Sequence, residues 1–222
     1  MDVTASDAIE SLRRAGVGRG DLVGLAVAPG VGLGLATVPG EPIVVGERTD
    51  TARVVSGIDA ELGPRWVMWS SDTAAALVGM GVRVTRSWDL AAVHRLLRGG
   101  WRADPGRLWA AVQDLPTDEI PTVGPHDLFS QDGSPGDPDD PIDPAGHLRP
   151  EWVGGGWAAS TTRLGRWAEL ARAVADLQRN VLDALADRPT AVATARSESA
   201  AELLCVELAA DGLPVDRRVG EQ

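Results

Sequence analysis

The sequence predicts an α/β fold in which helices pack on the faces of a mixed β-sheet. Three short apolar runs near the N-terminus are separated by Pro-Gly pairs, which is typical of an antiparallel meander. The hydrophobic period then alternates between helix and strand as far as residue 97, and further helical periods follow towards the C-terminus. These observations predict the element order βββαβαβα, followed by long C-terminal helices.

The N-terminal elements are predicted from caps and turns. Thr4 with Asp7 three residues later has the capping-box pattern and predicts a helix that ends at Gly16. Glycines at 30, 32 and 34 resemble a dinucleotide-binding loop, but they lead into another strand where that loop requires a helix, so a turn is favoured. The three strands of the meander are predicted at Leu22–Ala28, 33–38 and 42–46.

The later elements are predicted from changes in hydrophobic period. Ser71 and Asp72 are expected to cap the second helix of this region. In the last helix Leu203 and Val206 are expected to face inward, with the glutamates at 198, 202 and 207 mainly outward. The predicted helices cover 50–62, 71–80, 89–97, 164–185 and 197–210, and the predicted strands cover 65–70 and 82–84.

The charge of the chain is unevenly distributed. The 222 residues have a formal net charge of −11, and nine carboxylates without any arginine lie between Asp114 and Asp143. This proline-rich segment, which extends to about Pro150, shows no helical or strand period, so we expect a disordered or loosely held insertion. Its Asp-rich run over 132–143 lacks the ligand spacing and flanking helices of an EF-hand, so a calcium site is not favoured.

The composition excludes several classes of protein. A nucleic-acid binder that works by counterion release needs clustered basic residues in excess, which this chain lacks. No apolar run approaches the roughly 20 residues of a membrane span, and no signal peptide is evident at the N-terminus. A single cysteine, Cys205, excludes an intrachain disulfide and a Cys-based zinc site. We therefore expect a soluble, cytoplasmic protein that does not contact membranes.

The predicted element order is that of the ribonuclease H-like (DEDD-type) exonucleases. Their chemistry needs two metal ions about 3.5–4 Å apart, held by several carboxylates. The first strand usually supplies two of these on one face, separated by one residue. Leu22–Ala28 contains no acidic residue, and Asp21, which precedes it, has Val23 as its i+2 neighbour. A two-metal cluster cannot be assembled on this strand, so the sequence predicts no catalytic, cofactor or metal site.

The remaining candidate ligands each have a structural explanation. Asp72 and Asp89 stand at predicted helix starts, where an aspartate caps free backbone N–H groups without a metal. Glu169 and Asp176 lie seven residues apart on one face of the long helix, where solvent-facing acids are ordinary. Asp72 and Glu169 are thus the weak catalytic candidates, and Mg²⁺ is expected as a cofactor only if residual exonuclease activity is present.

Other reactive residues also have structural explanations. His94 lies on an otherwise apolar helix face and is predicted to be a hydrogen-bonded core histidine, while His126 and His147 fall in the acidic segment. Cys205 lies among apolar residues, which favours a buried, inert thiol. One group of arginines could contact phosphates, although a solvated face with local acidic partners is favoured: Arg95, Arg98, Arg102 and Arg107.

Several stretches of the chain, from about Gly63 to Arg217, resemble a known family. They are PRWVMWSSDTAAALVGMGV, WDLAAVHRLLRGGWRADPGRLWA, DLFS, GHLRPEWV, GGWAAS and ARSESAAELLCVELAADGLPVDR. In this order they resemble the N-terminal region of the actinobacterial bifunctional 3′-5′ exonuclease/DNA polymerases, a branch of the family-A DNA polymerases. Residues 1–62 fit the fold but carry no motif of the family.

The resemblance implies an exonuclease-like domain followed by the start of a polymerase thumb, near 202–216. We expect a chain that is truncated before the polymerase palm, so polymerase activity is not expected. The implied division is an exonuclease-like domain at 1–113, the acidic insertion at 114–150, the long helix that completes the domain at 151–195, and the start of the thumb at 196–222. Proofreading members carry four acids of the Asp-Glu-Asp-Asp type. Here the first two are missing, Asp72 falls near the third position, and Glu169 is the only acid near the fourth.

Three hypotheses follow. The favoured one is a non-catalytic, degenerate exonuclease-like domain that serves as a scaffold beside a polymerase and meets DNA only through it. The second is a residual exonuclease with an altered carboxylate set, and the third is an interaction module whose Asp114–Asp143 loop binds a basic partner. The second hypothesis requires that at least three of five carboxylates converge within reach of a metal: Asp21, Asp72, Asp89, Glu169 and Asp176.

Overall fold

The computed structural model of the chain describes residues 3–38, 40–122 and 137–213, and has the predicted α/β architecture. Its sheet has five strands in the order β3-β2-β1-β4-β5. The first three strands form the predicted antiparallel meander, and β4 and β5 add to the edge of β1 in parallel. The strands are β1 Leu22–Ala28, β2 Gly32–Ala36, β3 Ile43–Gly46, β4 Arg65–Met68 and β5 Ser87–Asp89.

Helices cover both faces of the sheet. One face packs against α1 and α2, and the other packs against the long helix α7. The last helix, α8, lies on β5, α3 and α4, so the predicted boundary at 195/196 falls inside a helix that packs on the sheet. The helices are α1 Ala5–Arg14, α2 Thr51–Leu62, α3 Ser71–Gly79, α4 Leu90–Arg98, α5 Pro105–Val112, α6 Pro150–Val153, α7 Thr161–Asp183 and α8 Ala191–Asp211, with a 3₁₀ turn at Gly156–Ala159.

The two faces of β1 differ in side-chain size. Val23, Leu25 and Val27 point into the cluster formed with α1 and α2, where large apolar side chains fill the space. The alternate positions, which include Ala26 and Ala28, point towards α7. Successive residues of a strand face opposite sides of the sheet, so the small residues allow α7 to approach the sheet backbone closely.

Local caps form largely as the sequence predicts. Thr4 and Asp7 form the predicted capping box at the start of α1. Asp89 caps α4, accepting the Ala92 N–H at 2.8 Å. The predicted cap of α3 is wrong, because Ser70 is the N-cap and Asp72 lies in the first turn.

The strand predicted at 82–84 is wrong. Val82 and Val84 are buried, but this segment pairs with no strand, and the Thr85 N–H donates to the Asp59 carboxylate at 3.2 Å. The strand instead occupies Ser87–Asp89, paired in parallel with β4. Burial alone produced the strand-like alternation, since apolar side chains can anchor a loop in the core without a hydrogen-bonded ladder.

The prediction of a disordered insertion is wrong for residues 137–150. Asp143 accepts hydrogen bonds from the Ala145 and His147 N–H groups, each at 2.9 Å, and Leu148 is buried in the core. Aspartates that bond to backbone two to four residues ahead form compact turns, so a polar, proline-rich sequence can hold a fixed shape. Residues 123–136, which include His126, lie outside the described residues.

Two helices differ from expectation in extent. Residues 105–112, for which no element was predicted, form α5, whose N-cap Asp104 accepts the Arg107 N–H at 3.0 Å. The last helix begins at Ala191, six residues before its predicted start. Among the helices of the described residues, none is both long enough and apolar enough to cross a membrane.

Candidate functional site

β1 is the strand on which the sequence would have to supply metal-binding acids, and one of its faces is covered by α7. A Cβ added at Gly24 would lie 2.2 Å from the carbonyl oxygen of Ala168, and one added at Gly34 would lie 2.3 Å from that of Leu164. Both distances are well below van der Waals contact. Because even a methyl group does not fit at these two positions, a carboxylate side chain at either would collide with the backbone of α7.

The carboxyl end of β4 is also filled. Trp69 follows this strand directly, stacks on Trp167 of α7 at a ring-centroid distance of 4.4 Å, and donates its indole N–H to the Trp167 carbonyl at 3.1 Å. Trp157 stacks on Trp167 from 6.0 Å, and Trp152 packs at 6.2 Å. Ligands of open α/β sheets bind at the carboxyl ends of parallel strands. In this protein, indole rings occupy that place.

Two of the candidate carboxylates lie in exposed local turns. Asp21 is exposed just before β1 and accepts the Gly18 N–H at 2.9 Å. Asp72 is exposed in the first turn of α3 and accepts the Ser70 hydroxyl at 3.0 Å. Each of these carboxylates accepts a hydrogen bond within its own turn, and the two are not arranged around a common metal ion.

The two candidate acids on α7, Glu169 and Asp176, pair with arginines of the same helix. Asp176 forms an ion pair with Arg172, whose Nε–H donates to the Leu22 carbonyl at 2.9 Å. Glu169 lies 3.6 Å from Arg166, and its pKa is raised because partial burial outweighs the attraction of that arginine. Within the part of the chain that the structure describes, no group of three or more His, Cys, Asp or Glu side chains could hold a metal ion. The convergence that a residual exonuclease requires is therefore not found there.

Asp89 is the one buried acid among the five candidates. It is 3% exposed, and burial raises its pKa to about 6, with a smaller contribution from Glu202 in the same direction. Hydrogen bonding from the Ala92 N–H and the charge of Arg95 oppose the increase. Its own N–H donates to the Ser199 hydroxyl of α8 at 3.0 Å, so this residue joins β5, α4 and α8.

A cavity of about 510 Å³ lies between α4 and α5. It brings together three of the four arginines grouped in the sequence, while Arg95 pairs with Glu202 of α8. His94 is buried as predicted, but its ring makes no hydrogen bond to the described residues, and its pKa is lowered by burial and then by neighbouring arginines. The polar and aromatic side chains that line the cavity are His94, Arg98, Trp101, Arg102, Arg107, Asp114 and Thr117.

Trp101 was not singled out from the sequence. It follows Gly99 and Gly100, both at positive φ, and its side chain is 80% exposed. Its sequence signal is an indole outside every helical period, placed between a Gly-Gly turn and an arginine. A buried aromatic side chain is explained by its packing in the core. A large exposed one beside basic residues has no such explanation, so it is the more informative sign of a binding site.

The prediction of a buried Cys205 is wrong, because its side chain is exposed on α8. It shares the solvent-facing side of the helix with Leu204 and Leu208. We expect one thiol per chain to react with a disulfide reagent such as DTNB in native buffer, at a rate close to that in denaturant, because accessibility controls thiol exchange. A thiol that reacted only after denaturation would contradict the described position of α8.

Comparisons with known proteins found no match. No protein-family model, no curated protein sequence and no solved structure is significantly similar to this chain. The fold thus defines the class as an α/β protein with a five-stranded mixed sheet, and the function has to be argued from the residues of the chain itself.

Proposed function

We propose that this chain is a non-catalytic 3′-5′ exonuclease-like domain of a family-A DNA polymerase, cytoplasmic and active in DNA replication or repair as a scaffold. The motif resemblance over about 63–217 supports this proposal. So does the arrangement of three antiparallel strands followed by parallel βα units, which agrees with a ribonuclease H-like sheet.

The observation that carries the non-catalytic part is the closure of β1 by α7. A carboxylate at the position of Gly24 would need the space that the Ala168 carbonyl occupies. Loss of the catalytic acids alone could leave an empty space at the metal site, but here α7 packs directly on β1. Close packing of this kind favours a structural role, because interiors tolerate little added volume.

The exposed apolar residues of α8 support a role beside a second domain. Leu204 and Leu208 are exposed on this helix, within the segment that resembles the lead into a polymerase thumb. Exposed apolar side chains on one helix face are typical of surfaces that pack against a partner. In this proposal DNA is a partner through the polymerase domain, and a basic partner is proposed for the acidic Asp114–Asp143 segment.

A nuclease assay tests the proposal. We expect the purified protein to leave a 5′-labelled single-stranded DNA intact with either Mg²⁺ or Mn²⁺, since no metal-binding group is found among the described residues. Asp72→Ala and Glu169→Gln serve as matched variants of the two remaining candidates. Metal-dependent shortening from the 3′ end that either substitution abolished would overturn the proposal in favour of a residual exonuclease.

A further inference from the structure

We propose that the cavity between α4 and α5 is a nucleotide-binding site, in which arginines hold a phosphate and the Trp101 indole stacks on the base. Its volume of about 510 Å³ lies within the range of small-ligand pockets. The site lies apart from the β1–α7 face considered for catalysis. It rests on the cavity and its charges, so it would stand whether or not the chain belongs to a polymerase.

The charge of the cavity is positive although the chain is acidic. Three arginines line it, and Asp114 is the single acidic residue among its described lining residues. The chain as a whole has a net charge of −11, so this local excess is a departure from the general distribution. An anionic ligand would therefore be attracted to the arginines of the cavity.

The arginines of the cavity have unused bonding capacity. The Arg98 guanidinium donates to the Ala111 carbonyl at 3.0 Å, and neither Arg98 nor Arg102 has a carboxylate within 4.0 Å in the described parts of the chain. Arg107 reaches only Asp104, at 3.8 Å, and its buried Nε–H has no hydrogen-bond partner there. A guanidinium has five N–H donors in a planar fork that matches phosphate oxygens. These side chains could thus bind a phosphate without breaking an existing close ion pair.

His94 gives the cavity a neutral polar wall. It is buried, and its pKa is lowered by burial and by the charges of Arg98 and Arg107, which outweigh the opposite effect of Asp104. The lowered pKa favours the uncharged ring, which has one nitrogen able to donate and the other able to accept. Such a ring can hydrogen-bond to the sugar or base of a nucleotide, while the arginines bind its negatively charged phosphate.

Trp101 supplies the surface for stacking. The Arg102 guanidinium lies 5.5 Å from the ring centroid, and most of the side chain is open to solvent. Indole rings beside basic groups are the elements with which proteins bind single-stranded nucleic acids without reading their sequence. The positive φ values of Gly99 and Gly100, 72° and 74°, allow the turn that presents this ring at the cavity.

Binding experiments test the site with two probes, thymidine monophosphate and a fluorescein-labelled single-stranded dT₁₂. We expect both to bind and to quench tryptophan fluorescence at low salt. Arg98→Ala/Arg102→Ala should weaken binding about tenfold or more, because charged hydrogen bonds to phosphate are lost. Trp101→Ala should weaken it about fivefold or more, and Trp101→Phe should recover part of the loss, because a phenyl ring still stacks.

The matched control removes the same charge elsewhere. Arg14→Ala/Arg179→Ala lowers the net charge equally, and both arginines are exposed outside the cavity. Circular dichroism confirms that each variant is folded.

Tighter binding of the oligonucleotide than of the monophosphate would assign the site to a strand, and equal binding would assign it to free nucleotides. No binding of either probe, or equal losses in the cavity and control variants, would overturn the proposal.

Discussion

Replacing Gly24 by alanine should lower the free energy of unfolding by about 3 kcal/mol or more, since overpacking a core typically costs about 1–3 kcal/mol and the obstacle here is helix backbone. The added Cβ would lie 2.2 Å from the Ala168 carbonyl oxygen and 3.0 Å from the Cβ of Arg172. The nearest obstacle is helix backbone, so relief requires α7 to move away from the sheet. Urea denaturation followed by far-UV circular dichroism measures the loss as a shift in midpoint at constant slope.

Gly46→Ala is the matched control for this substitution. Gly46 is likewise a strand glycine, at the end of β3, but a Cβ there meets nothing within 4 Å, so we expect a change within about 0.5 kcal/mol. Gly34→Ala should behave like Gly24→Ala, because its Cβ would lie 2.3 Å from the Leu164 carbonyl. Equal stability of Gly24→Ala and Gly46→Ala would show that α7 does not lie against β1 as described.

The packing of α7 against Gly24 bears directly on function. If even an alanine at position 24 is not tolerated, an acidic residue introduced there cannot create a metal site without moving α7. For the proposed non-catalytic domain, the absence of exonuclease activity then follows from the packing of the sheet as well as from the identity of a few side chains. A change of one residue would not reverse it.

Between pH 4 and pH 7 the wild-type protein should lose about 2 kcal/mol of unfolding free energy relative to Asp89→Asn, because one pKa unit corresponds to about 1.4 kcal/mol and most of the pKa shift is titrated in this range. Burial raises the pKa of Asp89 to about 6 in the folded protein, from an ordinary value of 3.8. A raised carboxyl pKa means that the folded state binds the proton more tightly than the unfolded state. The stability that this proton provides is fully present below pH 4 and is lost as the pH rises through 6.

Asparagine is a suitable replacement, because its side-chain oxygen can still accept the Ala92 N–H and it does not titrate. Urea denaturation at several pH values, on both proteins, yields the difference. Asp72→Asn, which removes an exposed acid from another helix start, serves as the matched variant over the same pH range. A difference for Asp89→Asn that did not depend on pH would contradict the burial of this carboxyl group under α8.

Local sequence patterns predicted the elements whose stability is local. The Thr4 capping box and the Asp89 cap depend on residues within three positions along the chain, and both are present. The antiparallel meander could be predicted because Pro-Gly pairs separate its strands in the sequence. By contrast, the alternation at 82–84 suggested a strand, although its side chains only anchor a loop, because whether a segment pairs with a neighbour is not encoded within three residues.

The candidate sites were less predictable than the elements. The acid-free first strand was evident from the sequence, and it was sufficient to predict that a two-metal cluster cannot form on it. The arginines around the cavity were visible as a group, but Arg95 belongs to a pair with Glu202, which lies 107 positions further along the chain. Which members of a charged group remain without a partner depends on helices distant in sequence.

The sequence by itself determined the α/β class, the order of most elements and the absence of acids from β1, because each depends on composition or on neighbours a few residues apart. Only the tertiary structure decided that α7 closes on Gly24 and Gly34, that four tryptophans fill the end of β4, and that an arginine-lined cavity opens between α4 and α5. These features arise from contacts between distant segments. Their energies come from close packing and desolvation, which are defined only when the whole chain is folded.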